Sequence, residues 1–407
     1  MQGSSLPCIL FQNGLDMKDT DMQNEMKRLQ DEIRELSETD ENVRRLAFWE
    51  ESAISNDYWH GIPRERDRIP FIIELERESY AKTLDFSLMR FYQDPLYHAV
   101  NSLRIMLFKF KTFNDCTPLG KSFAYYCGAG FEKSLFGGDQ LYTEQDAWVA
   151  REDIVRTRVD ISRLTAPDFH RGPHMRQIRE FYEKMTEVLD DDFSVVFPQW
   201  NRGPWGVAWH LRGINNLLID VIEDPGWVGE FVFFLGTARE KWAAERAKYL
   251  GTDLSICNIY NDEVTAPVVS PDMYNDIIKP SEIDLSRFFG GVNYWHSCGN
   301  STPFHQYIKE IPNLHMVHIS PWSSVESAVN VFDRDRTVIE VALHPVEDIV
   351  RPPSENHVER KIASIKEMTS GHRSTVRADG IQPVEGKKVD LGMVERWART
   401  AAKVLLN

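Results

Sequence analysis

Cysteine is scarce in this chain of 407 residues. The five present, Cys8, Cys116, Cys127, Cys257 and Cys298, follow no regular spacing. That excludes a disulfide framework and fits a reducing, cytoplasmic compartment. Long apolar runs are missing as well. No stretch approaches the roughly 18 uncharged apolar residues that a membrane-spanning helix requires. The most apolar segment, residues 227–235, still carries Glu230. Residues 1–10 lack the basic start of a secretory signal. Positive charge is in deficit, with 47 Lys and Arg against 62 Asp and Glu, a net charge of −15. An acidic surface of this kind argues against non-specific binding to nucleic acid or to an anionic membrane. No Walker loop, no GxGxxG after a strand, no HExxH and no GxSxG occurs.

What is present is a large apolar complement, 42% of the residues, enough for a substantial core. Residues 1–16 are polar and aperiodic and read as a poorly ordered start. Met22, Met26, Leu29, Ile33 and Leu36 then recur at alternating steps of four and three, the stripe of a charged amphipathic helix. Two heptads suit a helix packed on its own domain, with a homodimer formed through the stripe as the other reading. A second helical piece is expected over residues 43–54, leading to Trp59 and a turn at Gly61-Ile-Pro63. These residues, 1–62, form an N-terminal helical extension.

From residue 63 to 407 short β-rich runs alternate with amphipathic helical stretches. The strands are expected at residues 69–76, 193–198, 255–260, 291–295, 315–320, 337–343 and 375–378, with a weaker one near 122–127. Helices of 3.6-residue period lie between them, such as 175–189 and 225–249. Eight strands alternating with helices predict a (β/α)8 TIM barrel, with a doubly wound open sheet as the alternative.

A barrel places its reactive groups at the C-terminal ends of the strands. Those ends carry Gln199 and Trp200; Asn261, Asp262 and Glu263; His296 and Cys298; His318 and Ser320; His344; and Arg377 with Asp379. Within the strand that ends in His296-Ser-Cys298, residues i and i+2 share a face, so an imidazole and a thiolate converge. That pair suits zinc. It also fits a buried cysteine beside a hydrogen-bonded histidine. Gly299 is expected to let the chain turn sharply behind the pair. Asp262 reads either as a site carboxylate or as a helix cap.

Several motifs are similar to those of the uroporphyrinogen decarboxylase superfamily: Arg202-Gly-Pro-Trp205, Leu211-Arg-Gly213, Leu217-Leu-Ile-Asp220, Glu223-Asp-Pro225, Ser270-Pro271 and His296-Ser-Cys-Gly-Asn300. Phe91-Tyr92-Gln-Asp-Pro95 fits as well, and the resemblance spans residues 60–400. The true decarboxylases carry an arginine-rich segment near the first strand. Here that stretch reads Ile69-Pro-Phe-Ile-Ile-Glu-Leu-Glu76, without arginine. The chain therefore resembles the corrinoid-dependent methyltransferase branch, in which an H-x-C pair and a later cysteine bind zinc. His296 and Cys298 match the pair. The later cysteine is absent, and Asp379 in Val376-Arg-Ala-Asp-Gly-Ile-Gln382 stands nearest to its place.

The resemblance implies methyl transfer from a small methylated substrate to the cobalt of a corrinoid carried by a partner protein. It implies His296, Cys298 and Asp379 as metal ligands, with Asp262, Glu263 and Arg377 as catalytic groups. Asp262 or Glu263 would complete the coordination or act as the acid. Trp205, Trp209, Tyr260 and Tyr294, with His318, are the candidates for substrate contacts; Trp295 and Trp322 complete the aromatic set. Such rings suit a methoxylated aromatic, preferred here, or a methylated ammonium held by cation–π contact. The alternative activity is a metal-independent decarboxylase or lyase acting on a small carboxylate, relying on Asp262 and Arg377.

Overall fold

The structure is a computed structural model that describes residues 19–55, 58–145, 147–149, 153–354, 356–383 and 388–407. The expected disordered start, with Cys8, lies outside the described residues. Twelve strands are described. They are β1 Trp49–Ser55, β2 Tyr58–Pro63, β3 Phe71–Leu75, β4 Ser122–Ala124, β5 Gln140–Tyr142, β6 Ala147–Val149, β7 Ser194–Val196, β8 Cys257–Tyr260, β9 Val292–His296, β10 Met316–Ile319, β11 Val338–Ala342 and β12 Ser374–Ile381. Six of them form one parallel sheet in the order β3-β12-β11-β10-β9-β8, and β4 pairs with β7 in a second. Backbone bonds join the two sheets beyond β7, where Tyr260 N–H donates to Asn201 and Gly203 N–H to Tyr260. The fold is the (β/α)8 TIM-barrel class, with helices preceding it. All eight expected barrel strands are found; β3 and β8 to β12 are mostly buried runs, whereas β4 and β7 are three residues long and partly exposed.

The helix α1, Asp19–Ser37, buries Met22, Met26, Leu29 and Ile33. It packs on the barrel helix Pro95–Thr112 of its own chain. The stripe is thus covered from within. The helix α2, Asp40–Leu46, starts at the Thr39 cap and ends well before residue 54. The expected helix over residues 43–54 is therefore corrected: Trp49–Ser55 is a strand, paired antiparallel with β2. Trp49 meets Trp59 across this hairpin edge to face, with ring centroids 4.7 Å apart. Cross-strand aromatic contact stabilises pleated backbone more than the helical period of isolated apolar residues does.

The hairpin does not lie outside the barrel. A small hydrophobic cluster of Tyr294, Met316 and Val338, one residue from each of β9, β10 and β11, packs against Tyr58 and Ile62 of β2 and Tyr260 of β8. Strand side chains alternate between faces. The residues two further along therefore also face inward: His296, His318 and Glu340. With Arg377 of β12 they form a polar layer above the apolar one. Register aligns Tyr260 with His296 and His318 with Glu340.

Candidate metal centre and barrel mouth

At the ends of β8 and β9 three side chains converge. Nε2 of His296 lies 3.1 Å from Sγ of Cys298 and 3.2 Å from Oδ1 of Asp262. Asp262 Oδ1 also accepts from the Cys298 N–H, at 3.3 Å. All three ligating atoms lie within 4.8 Å of one another. With zinc bonds of about 2.3 Å to sulfur and 2.0 Å to nitrogen, tetrahedral donors stand about 3.5 Å apart. The observed spacing needs only a few tenths of an ångström of spreading. The nitrogen, sulfur and oxygen donors fit a zinc-like ion, and the exposed Cys298 puts the site at the open mouth.

The sequence expectation of Asp379 as third donor meets a different arrangement. The carboxylate beside His296 and Cys298 is Asp262, while Asp379 accepts a hydrogen bond from Tyr58 of the hairpin. Asp379 is also 4.0 Å from Nε of Arg377.

Behind the triad, Nδ1 of His296 is 3.2 Å from the Tyr294 hydroxyl, which donates in turn to Glu340. With its proton given to the carboxylate, the phenol oxygen faces an Nδ1–H, so that Nε2 is the nitrogen with the lone pair when the ring is neutral. This is the outer support that histidine ligands to metals usually have. His318 Nδ1 joins the same network, 3.0 Å from the Tyr294 hydroxyl and 3.2 Å from Glu340.

The surrounding charges favour a proton on Nε2, the position that a metal ion would take. Burial acts to lower the His296 pKa, but Cys298 and Asp262 outweigh it and raise it well above the usual histidine value. Burial acts to raise Asp262, but the hydrogen bond and charge of His296, with Arg202, hold it well below the carboxylate range. Burial raises the Cys298 thiol, with His296 opposing. Glu340 is pushed up by burial, yet Arg377 beside it holds it below the usual range.

Two glycines bring the elements close enough. A Cβ on Gly299 would fall 2.1 Å from Oγ1 of Thr265, and one on Gly203 would fall 2.1 Å from Oδ1 of Asn261. The chain bends at Gly299 as expected, and the close approach of Thr265 is what leaves no room for a side chain there. Glu282, fully buried, locks the two strand ends together. It accepts from Asn261 at 2.6 Å, from Trp295 at 3.0 Å and from Tyr274 at 2.7 Å. Asn261 and Trp295 immediately precede Asp262 and His296.

A cavity of about 250 Å³ opens at this mouth, lined among others by Tyr58, Arg202, Tyr260, Asp262 and Asp379. Of the other expected residues, Glu263 is buried and bonded to Arg202 and to His210, off this wall. Arg377 is fully buried, 3.0 Å from Glu340 and donating to the Trp59 carbonyl at 2.6 Å. Trp205 is fully buried on the core face of the helix Pro204–Arg212, and Trp209 of the same helix packs partly buried there. Trp295 points away from the barrel axis to Glu282. Trp322 is 60% exposed, edge-on to His344.

Sequence reasoning missed Tyr58, His60 and Glu340. His60 stacks on Tyr294 with ring centroids 4.0 Å apart and lies 3.1 Å from the Tyr260 hydroxyl. Glu340 carried a usable signal, a charge in the middle of Val338-Ile-Glu-Val-Ala342, because buried charges are rare without partners.

No protein-family model matches the chain, and no curated protein sequence does. Among solved structures it is similar to a methyltransferase from Methanosarcina mazei. The fold is shared. The TM-score is 0.61, covering 83% of this chain and 94% of that one, at 14% sequence identity. No helix among the described residues is long and apolar enough to cross a membrane.

Proposed function

We propose that the chain is a methyltransferase that moves a methyl group from a small methylated substrate to the cobalt of a corrinoid on a partner protein. The observation that carries this reading is the convergence of Asp262, His296 and Cys298 at the mouth, with His296 oriented from behind by Tyr294. These three residues would hold a zinc ion, which supplies Lewis acidity toward the atom that loses the methyl group. The similar fold of a methyltransferase is in keeping with it.

The bond between methyl carbon and heteroatom breaks, and the electron pair stays on the heteroatom. The methyl carbon would pass to the acceptor, cobalt(I) of the partner's corrinoid, whose electron pair would make the new bond. The chain's own residues do the rest. Tyr260 and Tyr58 wall the cavity. Tyr58, whose hydroxyl donates to Asp379, fixes that carboxylate on the cavity wall. Glu263 is bonded to Arg202 and His210 and does not line the cavity, which leaves Asp262 as the one of the two expected carboxylates on its wall.

The metal-independent lyase relies on Arg377 to bind a substrate carboxylate. With Arg377 fully buried against Glu340, that cation is already neutralised.

The test is to incubate the protein with cobalamin reduced to cobalt(I) and a set of methoxylated aromatics, following methylcobalamin by absorbance. Turnover that falls at least a hundredfold in Cys298→Ser and after chelation is expected. Full turnover in both cases would remove the metal from the reaction, and no methylcobalamin from any donor would return the lyase reading.

A further inference from the structure

Between β7 and β8 no strand ladder forms among the described residues. The bonds of Tyr260 to Asn201 and Gly203 join the two sheets above this split. Two arginines of the helix Pro225–Leu250 are seated against it. Arg246 donates from Nε to the Pro198 carbonyl at 2.9 Å and from Nη2 to the Phe197 carbonyl at 2.8 Å. Arg239 donates from Nη2 to the Asn258 carbonyl at 2.6 Å, and from Nη1 to those of Asn201 and Arg202 at 3.5 Å. The arginines thus satisfy carbonyls that the split leaves open.

Neither finds a counter-charge. Among the described residues no carboxylate forms an ion pair with Arg239 or Arg246. Glu132, Glu240 and Glu282 act on Arg239 from a distance. Two of these are committed elsewhere: Glu132 accepts from the N–H groups of Asn201 and Arg202, and Glu282 from Asn261, Tyr274 and Trp295. Burial lowers the pKa of both guanidiniums, that of Arg246 to about 10 with the Tyr182 phenol opposing. Arg239 is 2% exposed, and its Nε has no hydrogen-bond partner. A buried cation in this state is strongly disfavoured unless it is paired.

Both guanidiniums line one cavity of about 40 Å³. Seven residues separate them, two turns along one helix face, and the small side chain of Ala243 between them leaves the space. At about 10–15 Å³ for each water-sized sphere, such a volume suits a small ion. Trp242 and Phe289 supply apolar walls, and Ser255 lies beside them. Asp253, an exposed residue, lines the cavity too and pairs with neither arginine. Two cations against one carboxylate leave a single positive charge to be matched.

We propose that this cavity between β7 and β8 binds a small monovalent anion of the chloride class, held by the guanidiniums of Arg239 and Arg246. The ion supplies the charge that the fold leaves out behind the strand ends leading to Tyr260 and Asp262. The site is independent of methyl transfer.

Thermal unfolding of the full chain in rising chloride tests it, with gluconate, too large for the cavity, holding the ionic strength constant. An ion that binds the folded state alone raises the melting temperature saturably. A rise of a few degrees is expected. Arg246→Gln keeps an amide donor but removes a charge, and Ala243→Leu fills the cavity. Each should abolish the chloride-dependent rise. No rise in the wild type, or a wild-type rise in either folded variant, overturns the proposal.

Discussion

On β9 the hydroxyl of Tyr294 lies 3.2 Å from Nδ1 of His296, two residues further along the same strand. The proton that Tyr294 gives to Glu340 fixes which nitrogen of His296 faces the mouth with a lone pair. Tyr294→Phe removes that constraint and keeps the ring. Zinc affinity, read by competition with a chelator, should fall about 10- to 100-fold. Unchanged affinity would mean that the packing of the ring alone orients the histidine.

Arg377 and Glu340 face each other in the barrel interior at 3.0 Å, both fully buried. Removing one charge leaves the other unpaired, so Arg377→Met should cost about 3–5 kcal/mol in denaturant unfolding. Adding Glu340→Gln should recover part of that loss, since the orphaned carboxylate is gone. Simple additivity of the two effects would contradict a coupled pair.

Glu282 supplies a pH dependence. Burial raises its carboxyl from 4.5 to about 7, against hydrogen bonds from Tyr274, Trp295 and Asn261. The folded protein thus retains a proton that the unfolded chain releases near 4.5. The contribution of this group to stability is fully present below that value and is lost as pH rises toward about 7, on the order of 3 kcal/mol in total. Glu282→Gln should abolish this fall between pH 4.5 and 7. A wild-type slope in the variant would assign the titration to another group.

The barrel was legible because its strands are short apolar runs separated by helical stretches, and His296 and Cys298 because two residues on one strand face share a direction. What escaped was long-range. Trp49–Ser55 carries no alternation that marks it as a strand, and pairing with β2 is what makes it one. Asp379 and Asp262 both follow apolar strands; only the barrel's register brings Asp262 to His296 and turns Asp379 toward Tyr58. Trp205 and Trp209 sit among the motif residues, yet they fill the outer core, because helix packing decides where an aromatic ring points. Glu282 lies on an amphipathic helix and reads as a surface residue; its three donors come from separate elements.

The central claim is that Asp262, His296 and Cys298 hold a metal ion. Elemental mass analysis of protein purified without a metal-binding tag tests it most directly. Close to one zinc per chain is expected in the wild type, with its loss in a folded His296→Ala variant. A folded, metal-free wild type that still turns over its substrate would contradict it.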